Sequence, residues 1–440
     1  MYNSQVLAPS YTSFGSATQI HNDIVESIFI ELINAFHGFD IIHFNNLEGI
    51  PVNLLKKIKE NFPETKIVFS VHNYYPFCPQ VNLWRDEKVN CIDYKNGHNC
   101  LNCIHEIPNP NGVKKALFLG DLLRTFNIKT DTHLFNTLWS IAIKFNALIY
   151  KFKKKSKNFN EKLDTLEKIE YFSQRRSFFV DSINDYVDTV LPVSKRVEDI
   201  CINYGIKKKL CHTVYIGTEH STKFNENKDK PFLAFDGIMT ICYMGYMRND
   251  KGFEFFLKGL SSIDENISKN IRIVIAAKKN DYFFDRLIKT SRRYHSLCYY
   301  NGYTHSNLDE ILSEVDLGII PPLWEDNLPQ VAIEIHSRHI PILSSSAGGA
   351  SEIHRRNPDF TFKVGSIIDF KNKLTSIYNK KCDMQYFANA MTPISMHAHI
   401  EELMTIYTNI ISDKKTISSL EKKDRFKNSQ TSETVISKAS

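Results

Sequence analysis

The stretch PPLWEDNLPQVAIEIHSRHIPILSSSAGGASE, residues 321–352, sets the pattern for the whole chain. An apolar run, Val315 to Ile320, precedes it, and a second, Ile340 to Leu343, lies within it ahead of Gly348-Gly349. The predicted order is strand, loop, helix, strand, glycine turn. The loop carries one acid, Asp326, and the helix another, Glu334, eight positions on. Loops at the carboxyl ends of parallel strands are where open α/β sheets bind ligands. A helix that begins inside such a loop aims its unpaired backbone N–H groups at the same place, which favours phosphate. A plainer role stays open on spacing alone, with Asp326 capping the helix and Glu334 a solvated charge.

The pattern repeats toward the N-terminus of this half. Ile238 to Met244 reads as a strand, Gly245 to Gly252 as a polar loop, and Phe253 to Leu260 as a helix. The loop holds two cations, Arg248 and Lys251, and a diphosphate needs about two countercharges plus backbone donors. Ile271 to Ala276 and Cys298 to Tyr300 are further strands, with helices over Asp281 to Thr290 and Leu308 to Val315. Beyond the opening stretch come a strand at Phe360 to Val364 and helices at Phe370 to Tyr378 and Ala398 to Ile411.

The first half alternates in the same way. A helix is predicted over Thr18 to Phe36, a strand at Ile41 to Phe44, a helix over Pro51 to Asn61 and a strand at Lys66 to Val71. Polar groups follow each strand: Asn45, Asn46 and Glu48 after the first, His72 and Asn73 after the second. Tyr186 to Ser194 and Cys211 to Gly217 read as later strands, and Thr218 to Pro231 as a polar linker. Cys78, Cys91, Cys100 and Cys103 fall in one Asn-, Gly- and Pro-rich segment, with Cys100 and Cys103 spaced as half of a zinc knuckle. His98 and His105 are spare ligands. Free thiols in a loop are the alternative. Leu134 to Phe152 is strongly apolar and runs into the basic stretch Lys151 to Lys157, which suits either a helical hairpin packed on its domain or a helix lying on an anionic membrane surface.

The segment DNLPQVAIE resembles the signature of glycosyltransferase family 4, within the glycosyl transferases group 1, where two Glu stand eight apart. Asp326 takes the first position here, and Glu325 lies one residue early. The resemblance implies an α/β chain with the GT-B fold, two Rossmann-like domains facing a cleft. Since the chain opens on a helix, its N-terminal domain is expected to lack its first βα units. The expected division is an acceptor-side domain over 1–217, with a Cys-rich loop at 76–106 and a helical insertion at about 107–175. A linker at 218–231, a nucleotide-sugar domain over 232–392, a helix crossing back at 393–411 and a disordered tail at 412–440 complete it.

The resemblance also implies roles. The loop after Gly245 resembles the family's Gly-Arg-x4-Lys-Gly element, with Lys251 in the Lys position, Tyr246 in the Arg position and Arg248 displaced by two. Lys251, Arg248, Gly245, the backbone of Asn327, Leu328, Pro329, Gln330 and Val331, and Gly348-Gly349 would hold the diphosphate. Tyr303 would meet the base, Glu334 the ribose, and Asp326 and His72 the transferred sugar. Asn45, Asn46, Glu48 and Asn73 would face the acceptor. The implied activity is retaining transfer from a nucleotide diphospho-sugar to a glycan or lipid-linked acceptor in cell-surface polysaccharide synthesis. It needs no metal; the cysteines are a candidate structural zinc site.

Two other classes of function compete. One is a silent nucleotide-sugar or glycan binder with an incomplete first domain. The other is a zinc-stapled module for a membrane or a partner. At 440 residues, 42% hydrophobic, 24% charged and with a net charge of +6, the chain suits two globular domains and gives no sign of nucleic-acid binding. Residues 1–15 lack a basic start and an apolar core, and no run of 18 apolar residues occurs, so neither a secretory leader nor a membrane span is expected. Nine scattered cysteines fit a reducing cytoplasm, with the inner membrane face as the peripheral option.

Overall fold

The computed structural model describes residues 19–103, 137 and 161–412. The apolar stretch 134–152, the basic run 151–157, His105 and the tail expected beyond 412 lie outside the described residues, or almost wholly so. The chain divides into two compact units. The first comprises 1–37, 46–63 and 73–186, and the second 38–45, 64–72 and 187–440.

Helices Asp23–Ala35, Asn53–Asn61, His98–Cys103 and Glu161–Tyr186 make up the first unit, with a small hairpin of Trp84–Arg85 and Val89–Asn90. Asn22 starts the first helix by accepting from the Val25 N–H at 3.0 Å, so it begins later than the periodicity at Thr18 suggests. The long helix is the organiser. Its Arg175 is only 1% exposed and has no carboxylate partner among the printed bonds. The guanidinium donates to the Gln19 side chain at 2.7 Å and to the Tyr75 carbonyl at 2.9 Å, and lies 4.6 and 4.4 Å from the rings of Tyr75 and Phe179. Next to it, Arg176 donates to the Phe77 carbonyl at 2.7 Å and sits over the Tyr94 ring. Two adjacent cations therefore hold the turn-rich segment that follows Asn73. A buried guanidinium is tolerable only because carbonyls and ring faces replace its water.

The second unit contains two parallel sheets. β1 (Ile41–Phe44), β2 (Lys66–Val71) and β5 (Thr189–Pro192) form one, ordered β1-β2-β5. The first two strands match the predicted spans. The third is shorter, because the preceding helix continues to Tyr186. The expected strand at Cys211 to Gly217 pairs only through one bridge, Val190 to Cys211. The second sheet uses β6 (Met239–Tyr246), β7 (Ile271–Lys278), β8 (Ser296–Tyr300), β9 (Leu317–Ile320), β10 (Ile342–Ser345) and β11 (Thr361–Phe362). Their spatial order is β11-β10-β9-β6-β7-β8. The first strand of the series thus lies inside the sheet, and the connections wind outward to both sides of it. This is the doubly-wound order whose switch point lies between β6 and β9, and ligands bind outside the carboxyl ends of that pair. Phe253, Phe256 and Leu257 of the next helix bury themselves against Ile241, Tyr243 and Ile273, which fixes where the β6 loop ends.

The linker expected to be irregular contains a helix, Ser221–Glu226. Residues 396–412 form a last helix, whose Leu403, Ile406, Tyr407 and Ile410 pack on Val68 and Leu191 of the three-stranded sheet. His43 is the polar clasp there. One ring nitrogen meets the Tyr407 hydroxyl at 2.5 Å and the other the Ser70 hydroxyl at 2.8 Å. Burial, with His72 and His399 nearby, pulls its pKa down to about 4.

Two outcomes follow from these contacts. Arg175→Leu leaves the Tyr75 carbonyl and Gln19 without their charged donor and lowers unfolding free energy by about 3 kcal/mol in urea titrations. For His43 the folded pKa lies below the ordinary 6.5, so unfolding takes up a proton; its contribution is complete above pH 6.5 and falls as pH drops toward about 4. The difference in melting temperature between wild type and His43→Gln shrinks across that window, and a constant difference refutes the clasp.

Candidate active site

The loops at the carboxyl ends of β6 and β9 meet in a cavity of about 350 Å³. Gly245, Lys251, Tyr303, Pro321, Asp326 and Gln330 are among its walls. The two loops touch directly. Gly252 has φ +74°, and a Cβ there would sit 1.7 Å from the Pro321 carbonyl oxygen, so only glycine fits. Lys251 is thereby brought to the acid loop. Its Nζ donates to Asp326 Oδ2 at 2.6 Å and lies 5.0 Å from the Trp324 ring. The expected cation and the expected acid of the site are partners in the free protein.

Glu325 has a different task. Its carboxylate accepts from Arg196 Nε at 2.8 Å and Nη2 at 2.6 Å, and from the Gly348 N–H at 2.9 Å. Ser194 donates its hydroxyl to the Asn327 carbonyl at 2.8 Å, and the Gly349 N–H donates to the Asp326 carbonyl at 2.8 Å. Gly348 has φ +72°, and its Cβ position lies 2.1 Å from the Asp326 carbonyl oxygen. The acid loop is therefore stapled on one side to the start of helix Lys195–Asn203 and on the other to the glycine turn. Glu352 secures the same helix start by accepting from the backbone N–H groups of Lys195 and Arg196 at 3.0 and 2.6 Å. The one-residue offset of Glu325 is the offset of an anchor, and Asp326 is the acid left facing the cavity. Asp326 does not cap the next helix: helix Gln330–His336 begins after Pro329 and has no side-chain cap.

Glu334 projects from that helix and is 6% exposed. Burial raises its pKa, and Tyr303 gives it a hydrogen bond. Its Oε2 has no partner in the folded protein. Arg338 steadies the helix by donating to the Glu334 carbonyl at 2.9 Å while pairing with Asp309. Asn327 is 6% exposed, and both its Oδ1 and its Nδ2 lack a partner. Unsatisfied buried polar atoms facing one region are what a polar ligand would complete.

Several expected donor residues are placed otherwise. Arg248 is drawn aside by Asp250, which takes its Nε and Nη2 at 2.9 Å each, and its side chain is 63% exposed. It does not line the cavity. The Gly348 and Gly349 N–H groups are spent on Glu325 and the Asp326 carbonyl, so they are not free for a diphosphate. Tyr303 lines the cavity but bonds to Glu334, which ties it to the ribose side rather than leaving it free as a base platform. Gly245 and the run Leu328, Pro329, Gln330 and Val331 do line it.

His72 is exposed and is not part of this cavity; burial and His399 lower its pKa. Asn45 is exposed beside it in the second unit. In the first unit, Asn73 donates to Glu48 at 2.5 Å, Asn46 accepts from the Glu48 N–H and Asn73 from the Tyr75 N–H. These three residues shape their own loops. The four cysteines of the first unit are free thiols lining one small cavity with Arg176. Burial pushes Cys100 up to about 12 and Cys103 up to about 11, and the neighbouring sulfurs add to it. Among the described residues, three ligand atoms mutually within 4.8 Å occur at His220, His305 and Glu334, and not at the cysteines. Those two histidines gave no signal in the sequence, being 85 residues apart.

Among the described residues, no helix is long and apolar enough to cross a membrane. No curated relative matches the chain in sequence. Solved structures share its architecture at low identity. Sucrose-phosphate synthase from Thermosynechococcus elongatus is 10% identical, aligns over 88% of this chain and 78% of its own, and superposes with a TM-score of 0.51, which places the chain in the GT-B fold class. A glycosyltransferase from Rickettsia africae is 13% identical over 89% and 82% with a TM-score of 0.49. Anabaena HepE in complex with UDP and glucose is 11% identical over 87% and 81%, at 0.47. The model of the family described as glycosyl transferases group 1 matches residues 224–392, the span that holds the β6 and β9 loops. Over those residues the chain belongs to the glycosyl transferases group 1.

Proposed function

We propose that this protein transfers a sugar from a nucleotide diphospho-sugar to an acceptor hydroxyl, with retention at the anomeric carbon. The observation that carries the reading is the Lys251–Asp326 contact at the switch point, beside the unpartnered Glu334 carboxylate. A diphosphate entering the cavity offers Lys251 a more highly charged partner. Lys251 then counters the charge that grows on the leaving phosphate, and the Asp326 carboxylate is released to accept from sugar hydroxyls. Glu334 takes the two ribose hydroxyls, one on each oxygen. The Asn327 amide, with both atoms unused, supplies one donor and one acceptor to the same ligand. Arg248 would have to leave Asp250 to contribute, so one lysine and backbone donors carry the leaving-group charge. His72 and Asn45 serve the acceptor side, with a glycan or lipid-linked sugar as acceptor and cell-surface polysaccharide as the destination.

A nucleoside-diphosphate release assay across UDP- and GDP-sugars, with an acceptor panel, tests the reading. Thermal stabilisation by a donor without any release would support a binder instead. The two neighbouring acids separate function from structure. Asp326→Asn lowers kcat on the order of 100-fold with the unfolding midpoint nearly unchanged. Glu325→Gln costs about 2 kcal/mol of stability, because Arg196 and the Gly348 N–H lose their shared partner. Glu334→Gln raises the donor KM by about tenfold while kcat holds, as expected of a contact made equally in ground and transition states. Wild-type kinetics in Glu334→Gln would remove the ribose assignment.

A further inference from the structure

Glu334 also faces a second cavity, of about 160 Å³, on the far side of its helix from Lys251. Thr218, His220, His305, Gln330, Glu334 and Met396 are among its walls. The rings of His220 and His305 stack at 5.1 Å and 8°, with His220 Nε2 and His305 Nδ1 3.0 Å apart. One ligand atom from each histidine and one from Glu334 all lie within 4.8 Å of one another.

The arrangement is poorly satisfied by protons alone. Two neutral imidazoles facing nitrogen to nitrogen share a single N–H, and neither supplies a donor to Glu334 Oε2, which stays buried and unpartnered. Protonating both rings would set two positive charges against each other at hydrogen-bond distance, and burial with Arg338 nearby already disfavours charge on His220. A neutral imidazole with a free lone pair is the form that binds metal. A dication resolves all three atoms at once. At metal–nitrogen bonds of about 2.0–2.1 Å and a tetrahedral angle, two ligating nitrogens lie about 3.3 Å apart, close to the spacing here. Two imidazoles and one carboxylate suit zinc and its neighbours; calcium and magnesium prefer oxygen alone. The fourth position opens on the cavity.

We propose that His220, His305 and Glu334 form a binding site for a zinc-class transition-metal dication, and that the ion and the nucleotide donor exclude each other at Glu334. The site stands on its own geometry. The exclusion rests on the reading of Glu334 as the ribose contact, since one carboxylate cannot serve both. Metal occupancy then switches the enzyme off by withdrawing a binding group, and chelation restores it.

The test is titration of the full, EDTA-treated chain with Co²⁺, then displacement by Zn²⁺, in wild type and in the His220→Gln, His305→Gln double variant. One equivalent is expected to bind in wild type without a thiolate-to-metal charge-transfer band, which separates this site from the cysteines. The double variant, whose metal-free melting temperature checks that it folds, loses affinity on the order of 100-fold or more. Equal binding by both proteins, or a thiolate band at the first equivalent, overturns the site. Adding UDP or GDP, whichever stabilises the metal-free protein, is expected to weaken Co²⁺ binding at least about tenfold, a difference of about 1.4 kcal/mol. Unchanged affinity overturns the exclusion. Intact metal binding in a protein that releases no nucleotide in any donor assay marks failure of the transferase reading, with the metal site standing and the exclusion lost.

Discussion

The Glu325 carboxylate ties together three stretches that are far apart in the chain. Arg196 reaches it from the helix after β5, Gly348 from the turn after β10, and Glu325 itself sits in the loop after β9. Each of its hydrogen bonds is charge-assisted, and the residue is 8% exposed, so they operate with little competition from water. Everything that faces the larger cavity inherits its position from this anchor. Asp326 is the next residue along, Asn327 is pinned through its carbonyl by Ser194, and the helix bearing Glu334 starts three residues later.

The cavity is electrostatically quiet when empty. Lys251 and Asp326 neutralise each other at 2.6 Å, and Arg248 is paired outside with Asp250. A charged ligand therefore enters by exchange of partners rather than by attraction to a bare cation. Such a site discriminates by geometry: a monoanion gains little from displacing Asp326, whereas a diphosphate gains a partner for Lys251 and frees an acceptor for its sugar.

Much of this was legible in the sequence where a local pattern carried it. β1 and β2 are continuous apolar runs bounded by polar residues, and their spans follow from the residues alone. Lys251, Asp326, Gly245 and Leu328 to Val331 were readable because the cavity is built from two loops next to the two strands that frame it. The missed features share one physical cause, which is partnership at long range. Nothing near Glu325 announces Arg196, 129 positions away. Without that partner, Glu325 looks like a misplaced acid. The free N–H groups expected at Gly348 and Gly349 fail for the same reason, since the acceptors that consume them come from another loop. The helix at Ser221–Glu226 was hidden by polar composition, and its boundaries depend on tertiary contacts rather than on periodicity. Helix Glu161–Tyr186 spreads its apolar residues without a clean stripe, because it clamps a turn-rich segment with two arginines rather than one flat face.

The contact between Gly252 and Pro321 joins the loop that carries the cation to the loop that carries the acid at a distance that leaves no room for a methyl group. The two loops are mechanically a single part. Lengthening or exchanging one alone would separate Lys251 from Asp326 even if every residue named in either loop were kept. For anyone grafting a new donor preference onto this scaffold, the unit of transfer is the loop pair, and a shortened β6 loop would have to bring its own β9 loop with it.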